Sequence, residues 1–312
     1  MQRTQDEGAS RVDPTRLDAL VGHALGRRYR IDGTLGHGGM GTVFAATDVR
    51  LRRPVALKVF SLEGVPARDI GRYAGEARVL ASLSHPGLVA LLDVGADQGP
   101  EGEPLAYLVM ELVDGVTLRE RLDEGPIDPV EVADIGRQLA EALGHAHAAG
   151  VVHRDLKPAN ILLAHEPVLS GEAEAPATAT KLADFGIAQA LGGPTSGETS
   201  AGRTLGTASY LSPEQALGRP LGATSDVYSL GLVLLECLTG ERAYPGEALS
   251  SSLARLLEAP EVPDSLGPTW CSLLQEMTAS DPTMRPSTTE VAERLRRLRR
   301  PALWDRVAAR LG

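Results

Sequence analysis

Residues 151–163 read VVHRDLKPANILL, which crowds His153, Arg154, Asp155, Lys157 and Asn160 between two apolar stretches. Acid–base and charge-bearing groups set between buried-looking segments suit chemistry on a charged group. Their joint occurrence by chance has odds on the order of one in ten thousand. A second cluster is the glycine run GHGGMG, which fits GxGxxG at Gly36, Gly38 and Gly41. In so glycine-rich a chain an accidental match is expected about 0.4 times, so its setting must decide. Thr42, Val43, Phe44 and Ala45 follow as strand formers. A dinucleotide fold would place a helix there. No GxxxxGK[ST] run is present, which excludes a P-loop. Glycines in a strand-loop-strand hairpin can fold over phosphates as a flap, because missing side chains permit close backbone approach.

Lys58 stands inside the apolar run VALKVF. A lysine there either snorkels to a sheet edge or meets an anion. Glu76, in the helical pattern that follows, is a candidate partner for it and equally a solvated helix-face residue. ADFG at 183–186 completes the set of polar motifs.

The elements that must position these residues are legible from periodicity. The chain has 312 residues, 43% hydrophobic and 23% charged, enough for one large or two modest domains. A net charge of −10 argues against a nucleic-acid partner, which would call for a basic face. Cys237 and Cys271 lie in apolar contexts far from any ligand spacing and read as buried thiols in a reducing compartment. No long apolar run and no signal peptide stand out, so the chain reads as cytoplasmic, with no membrane segment.

From Tyr29 to Val59, β-branched and aromatic runs around the glycines predict three antiparallel strands, and Ile70, Ala74, Ala77 and Leu80 or Ala81 follow close to helical spacing. GLVALLDVGA and LAYLVMELVDG supply two more strands, and beyond Gly115 the pattern turns helical. A long helix runs up to the stop signal at Gly150, and further helices are predicted at 224–239, 248–258, 268–278 and 287–299. Residues 1–28 read mainly as a mobile lead-in, in which RLDALVGHAL could form a helical turn or two, and 164–180 as a flexible surface loop. Residues 300–312 form a tail with Leu303, Trp304, Val307 and Leu311 at helical spacing.

Taken in order, GHGGMG, VALK, HRDLKPAN and ADFG resemble the eukaryotic-like protein kinase family, over residues 29–298. LGHGGMGTVF, GTASYLSPEQA and SDVYSLGLVLLECLTG resemble its bacterial serine/threonine members in particular. The resemblance implies an α+β, bilobal fold. Its N-lobe, 29–112, would hold an antiparallel five-stranded sheet plus one helix, and its mainly helical C-lobe would span 113–299.

It also implies transfer of the ATP γ-phosphate to protein hydroxyls, with Mg2+ or Mn2+ as the metal. Gly36, Gly38 and Gly41 would cover the phosphates, with Lys58 on the α- and β-phosphates and Glu76 orienting it. Val43 and Ala56 would close over the adenine, although plain sheet core predicts the same residue types. Met110 resembles the gatekeeper, with the Glu111 carbonyl and the Val113 amide serving the purine edge. Asp155 would orient the acceptor hydroxyl, Lys157 neutralise the γ-phosphoryl charge, and Asn160 and Asp184 hold the metal.

Lys157-Pro158 resembles the serine/threonine form of the loop. Thr207 would bond to the Asp155 and Lys157 pair, Glu214 would pair with Arg285, and Asp226 would brace the catalytic loop. Ser212 departs from the usual alanine of the APE motif. Arg154 would receive a phosphate on the activation segment, with Thr199 and Ser200 the favoured sites, phosphorylated between two copies in a homodimer. The alternative is a pseudokinase that binds nucleotide without transfer. The presence of Lys58, Glu76, Asp155, Asn160 and Asp184 together counts against it.

Overall fold

The computed structural model describes residues 14–38, 41–65, 79–165, 178–185, 208–246 and 248–299. The described residues fall into two units. One holds those up to Ser82 together with Ala90–Leu112, and the other holds Leu83–Val89 and those from Val113 onward.

The first unit is a six-stranded sheet in the order β1-β2-β3-β4-β6-β5. Its strands are β1 (Ala24–Leu25), β2 (Tyr29–Gly38), β3 (Gly41–Asp48), β4 (Arg53–Ser61), β5 (Leu91–Gln98) and β6 (Pro104–Glu111). All neighbours are antiparallel. Strand β3 alternates half-buried and buried positions, and its inward set Phe44 and Ala46 meets Leu57, Val59, Leu105 and Val109 in one core. Period-two alternation of this kind is the mark of a strand with one face on a core. Asp48, at the end of β3, is fully buried and accepts from Arg28 Nε at 2.9 Å and from the Arg50 and Leu51 amides. The Arg28 guanidinium holds the Asp48 carboxyl down at about 2.

Two expectations need correction. The lead-in is not mobile throughout: a 3-10 helix at Pro14–Leu20 precedes β1, and Leu17, Leu20 and Leu25 are buried in the sheet core. Strand β1 adds a sixth strand to the expected five. The polar composition of this segment hid three leucines that gain their value only from the apolar face the sheet presents. The helix expected around Ile70–Ala81 lies mostly outside the described residues, which include helical positions 79 to 81.

The second unit begins with α1 (Leu118–Asp123), closed by a reciprocal cap between Thr117 and Glu120. Helix α2 (Pro129–Ala148) starts on the Asp128 side chain with Pro129 at its first position, and Gly150 follows it at φ 77°. Short α3 (Pro213–Ala216) leads to α4 (Ala223–Thr239), α5 (Ala248–Leu257), α6 (Pro268–Met277) and α7 (Thr288–Arg299).

Helix α4 is apolar nearly all round and runs through the centre, buried continuously from Ser225 to Leu238. At Gly136 a Cβ would lie 2.9 Å from both a Leu234 and a Leu295 methyl, so α2 crosses α4 and α7 closely there. A small antiparallel sheet in the order β7-β8-β9 joins Gly115–Thr117, Ile161–Ala164 and Ala179–Leu182. Both ends of the expected 164–180 loop are therefore strand, while 166–177 lie outside the described residues. The tail from 300 onward lies outside them too. Among the described residues no helix is long and apolar enough to cross a membrane. Cys237 and Cys271 are free and buried, as their apolar settings implied.

Candidate active site

In the first unit, register puts several expected residues on one face. Val43 stands opposite Lys58 and Lys58 opposite Leu108, while Ala45 faces Ala56 and Ala56 faces Met110. Successive side chains alternate between faces. Val43, Ala56, Lys58 and Met110 therefore share the face opposite the Phe44, Leu57 and Val109 core. This separates Val43 and Ala56 from that core. Lys58 does not snorkel to an edge either, because β4 is internal to the sheet and the residue is 9% exposed. Its Nζ lies 5.8 Å from the Phe60 ring centroid. Glu76 lies outside the described residues. Glu111 ends β6, where its Oε1 accepts from the Ala90 amide at 2.9 Å and its own amide donates to the Ala90 carbonyl.

The pattern glycines differ in the room they leave for a side chain. A Cβ on Gly41 would lie 2.4 Å from the Val59 carbonyl oxygen, so β3 approaches β4 too closely for any side chain. Gly36 has nothing within 4 Å of such an atom. Gly41→Ala is expected to destabilise the protein by about 1–3 kcal/mol, whereas Gly36→Ala should melt like the wild type. Thermal unfolding of the two variants checks this.

In the second unit the catalytic-loop residues converge. Asp155 Oδ2 accepts from Lys157 Nζ at 2.9 Å and from Asn160 Nδ2 at 3.1 Å, and Asn160 Nδ2 also reaches the Asp155 carbonyl at 2.7 Å. The amide nitrogen of Asn160 is committed to Asp155, which leaves Oδ1 as its acceptor atom. The segment before Asp184 is tied to the same loop. The Ala183 amide donates to the Asn160 carbonyl at 2.8 Å, and His153 Nε2 is 2.9 Å from the Ala183 carbonyl. His153 Nδ1 accepts from the Asp155 amide at 3.3 Å, so the ring is held with its proton on Nε2. His153 is fully buried and meets the Phe185 ring edge-on at 4.8 Å.

Two non-glycine residues here occupy the left-handed backbone region, Arg154 at φ 68° and Asp184 at φ 58°. Such a conformation costs roughly 1–3 kcal/mol and persists only where its surroundings impose it. Asp226 imposes it at Arg154. Its two oxygens accept from the His153 amide at 2.8 Å and the Arg154 amide at 2.9 Å, which is the bracing expected of it. His147 Nε2 adds a contact at 2.7 Å, and Gln215 Nε2 pins the Arg154 carbonyl at 2.6 Å. His147 and Gln215 were missed in the sequence. Each lies in an ordinary helical context, and neither has a local signal that it reaches the loop.

The Arg285 guanidinium meets both Glu214 oxygens, at 2.7 and 3.0 Å, as expected. Ser212 has a reason to replace alanine: its Oγ accepts from the Gln215 amide while Gln215 Oε1 accepts from the Ser212 amide, capping α3. Arg255 of α5 was also missed. It is 1% exposed and donates to the carbonyls of Ala208 and Leu211, which follow Thr207, the residue expected to bond to the Asp155 and Lys157 pair. Thr207, Thr199 and Ser200 lie outside the described residues.

Residues 29–295 match the family model described as "Protein kinase domain". The chain is 45% identical to the serine/threonine-protein kinase PknB of Mycolicibacterium smegmatis over 72% of its own length and 34% of that protein's. It is 37% identical to PrkC of Bacillus subtilis over 88% of this chain and 41% of PrkC. It is 40% identical to PknA of Mycobacterium tuberculosis over 86% of this chain and 60% of PknA. The chain thus spans about a third to three fifths of the length of these relatives.

Proposed function

The chain belongs to the protein kinase family, on its bacterial serine/threonine branch, and from that premise we propose that it transfers the γ-phosphate of ATP to serine and threonine hydroxyls of proteins. The observation that carries the reading is the Asp155 cluster, in which one carboxylate oxygen is shared between an ammonium and an amide. Asp155 orients the acceptor hydroxyl and takes its proton, while Lys157 balances charge on the transferring group. Gly36, Gly38 and Gly41 cover the nucleotide phosphates, Lys58 with Glu76 holds the α- and β-phosphates, and Val43 and Ala56 pack on the adenine. The Glu111 carbonyl and the Val113 amide hydrogen-bond the purine edge.

The family uses ATP with a divalent metal. Asn160 Oδ1 and the Asp184 carboxylate are hard oxygen donors, a set that suits Mg2+, with Mn2+ as a substitute. A bound metal supplies charge neutralisation at the phosphate oxygens. Positioning and electrostatics then account for most of the rate, because phosphoryl transfer needs little covalent help from protein groups.

Arg154 is the anchor for a phosphate placed on Thr199 or Ser200 by a second copy of the chain, and Thr207 bonds to the catalytic pair. Incubation with ATP, Mg2+ and an acceptor protein, followed by mass spectrometry, tests the reading. Phosphate is expected on serine and threonine, including the chain's own residues 195–204, and phosphatase treatment should slow the acceptor reaction. ATP binding without any transfer would point to the pseudokinase instead.

A further inference from the structure

The segment ahead of the family match does more than extend the sheet. Leu17 and Leu20 are 5% and 1% exposed in the core, and the chain after them is stitched to β2 by Gly22 N to Ile31 O and Ile31 N to His23 O, both 2.9 Å. These anchors leave Asp18 pointing at the glycine hairpin. One of its oxygens accepts from Thr34 Oγ1 at 3.0 Å, and the other lies 3.6 Å from His37 Nε2, between Gly36 and Gly38. On its other side the His37 ring reaches Thr42 Oγ1 at 3.4 Å, on the returning strand. The register of β2 against β3 shifts between Ile31 and Gly33 and again between Thr34 and Gly36. A bulged, glycine-rich strand is weakly specified by its own ladder. Asp18 grips residues on both sides of the second shift.

We propose that Asp18 is a positioning residue for the nucleotide flap, holding the hairpin in the conformation that receives the ATP phosphates. The inference rests on the kinase reading above. A ligand that binds one conformation is weakened by the fraction of time that conformation is lost. Asp18→Ala is therefore expected to raise the KM for ATP by about 3–10-fold, the effect of one hydrogen bond. Its kcat should change by less than about two-fold, and the melting temperature should stay level because the carboxylate is a surface group. Asp18→Asn, which keeps an acceptor for Thr34, should recover part of the loss.

Steady-state kinetics and equilibrium ATP binding on the full chain, for Asp18→Ala, Thr34→Val and the double variant, provide the test. The double variant should bind ATP no more weakly than Asp18→Ala alone. An unchanged ATP affinity in Asp18→Ala, or two effects that simply multiply, overturns the proposal. A wild type that binds ATP without transferring phosphate overturns the kinase reading instead, and the binding contrast still decides the role of Asp18. A wild type that binds no ATP overturns both.

Discussion

Asp155→Asn is expected to slow phosphate transfer by about 10²–10⁴-fold, the span that a positioned general base contributes. An amide preserves the shape of the carboxylate and one acceptor for Lys157 or Asn160, whose nitrogens lie 2.9 and 3.1 Å from Asp155 Oδ2. It removes the negative charge and the capacity to take a proton. The side chain is 31% exposed, so the substitution leaves no deeply buried group unsatisfied and thermal unfolding should stay close to wild type. Single-turnover transfer at saturating ATP is the measurement. The expected pattern is a loss in kcat and kcat/KM together with unchanged nucleotide affinity. Equal rates for the two proteins would remove Asp155 from its role.

Arg285→Ala should cost about 3–5 kcal/mol of stability, because it leaves Glu214 as a buried charge with its main partner gone. Arg285 also donates to the carbonyls of Thr224 and Ala279 and lies over the Tyr228 ring, so one side chain ties α4 to the segments on either side of it. Burial pushes the Glu214 carboxyl up, but hydrogen bonds from Arg285 and Ser225 outweigh it and hold the group at about 2, against an ordinary 4.5. A carboxyl held low contributes stability that is fully present above its ordinary value. That contribution fades as pH falls through the folded value.

The gap between wild type and Arg285→Ala should therefore be widest near neutral pH and narrow as pH drops from about 4.5 toward 2. Denaturant unfolding at several pH values reads it. A gap below about 1 kcal/mol at neutral pH, the range of exposed pairs, would show that Glu214 finds compensation elsewhere.

How far a feature was legible depended on how local its cause is. Strands β2 to β6 follow from alternation and turn residues carried within each segment. The short sheet of β7, β8 and β9 was not foreseen, since its three strands have at most four residues each and gain their partners from distant parts of the chain. Leu17 and Leu20 were read as part of a mobile lead-in because only the finished sheet offers them a face to cover.

By itself the sequence pointed to the proposed kind of chemistry: Asp155, Lys157 and Asn160 lie within six positions, and a turn that short carries its own geometry. Tertiary structure alone decided what holds that turn in place. Asp226 and Gln215 pin the strained Arg154 backbone from 72 and 61 positions away. Residue type signals what a group can do. Which backbone amide or carbonyl it meets is set by packing, and packing joins segments whose spacing along the chain carries no trace of the contact.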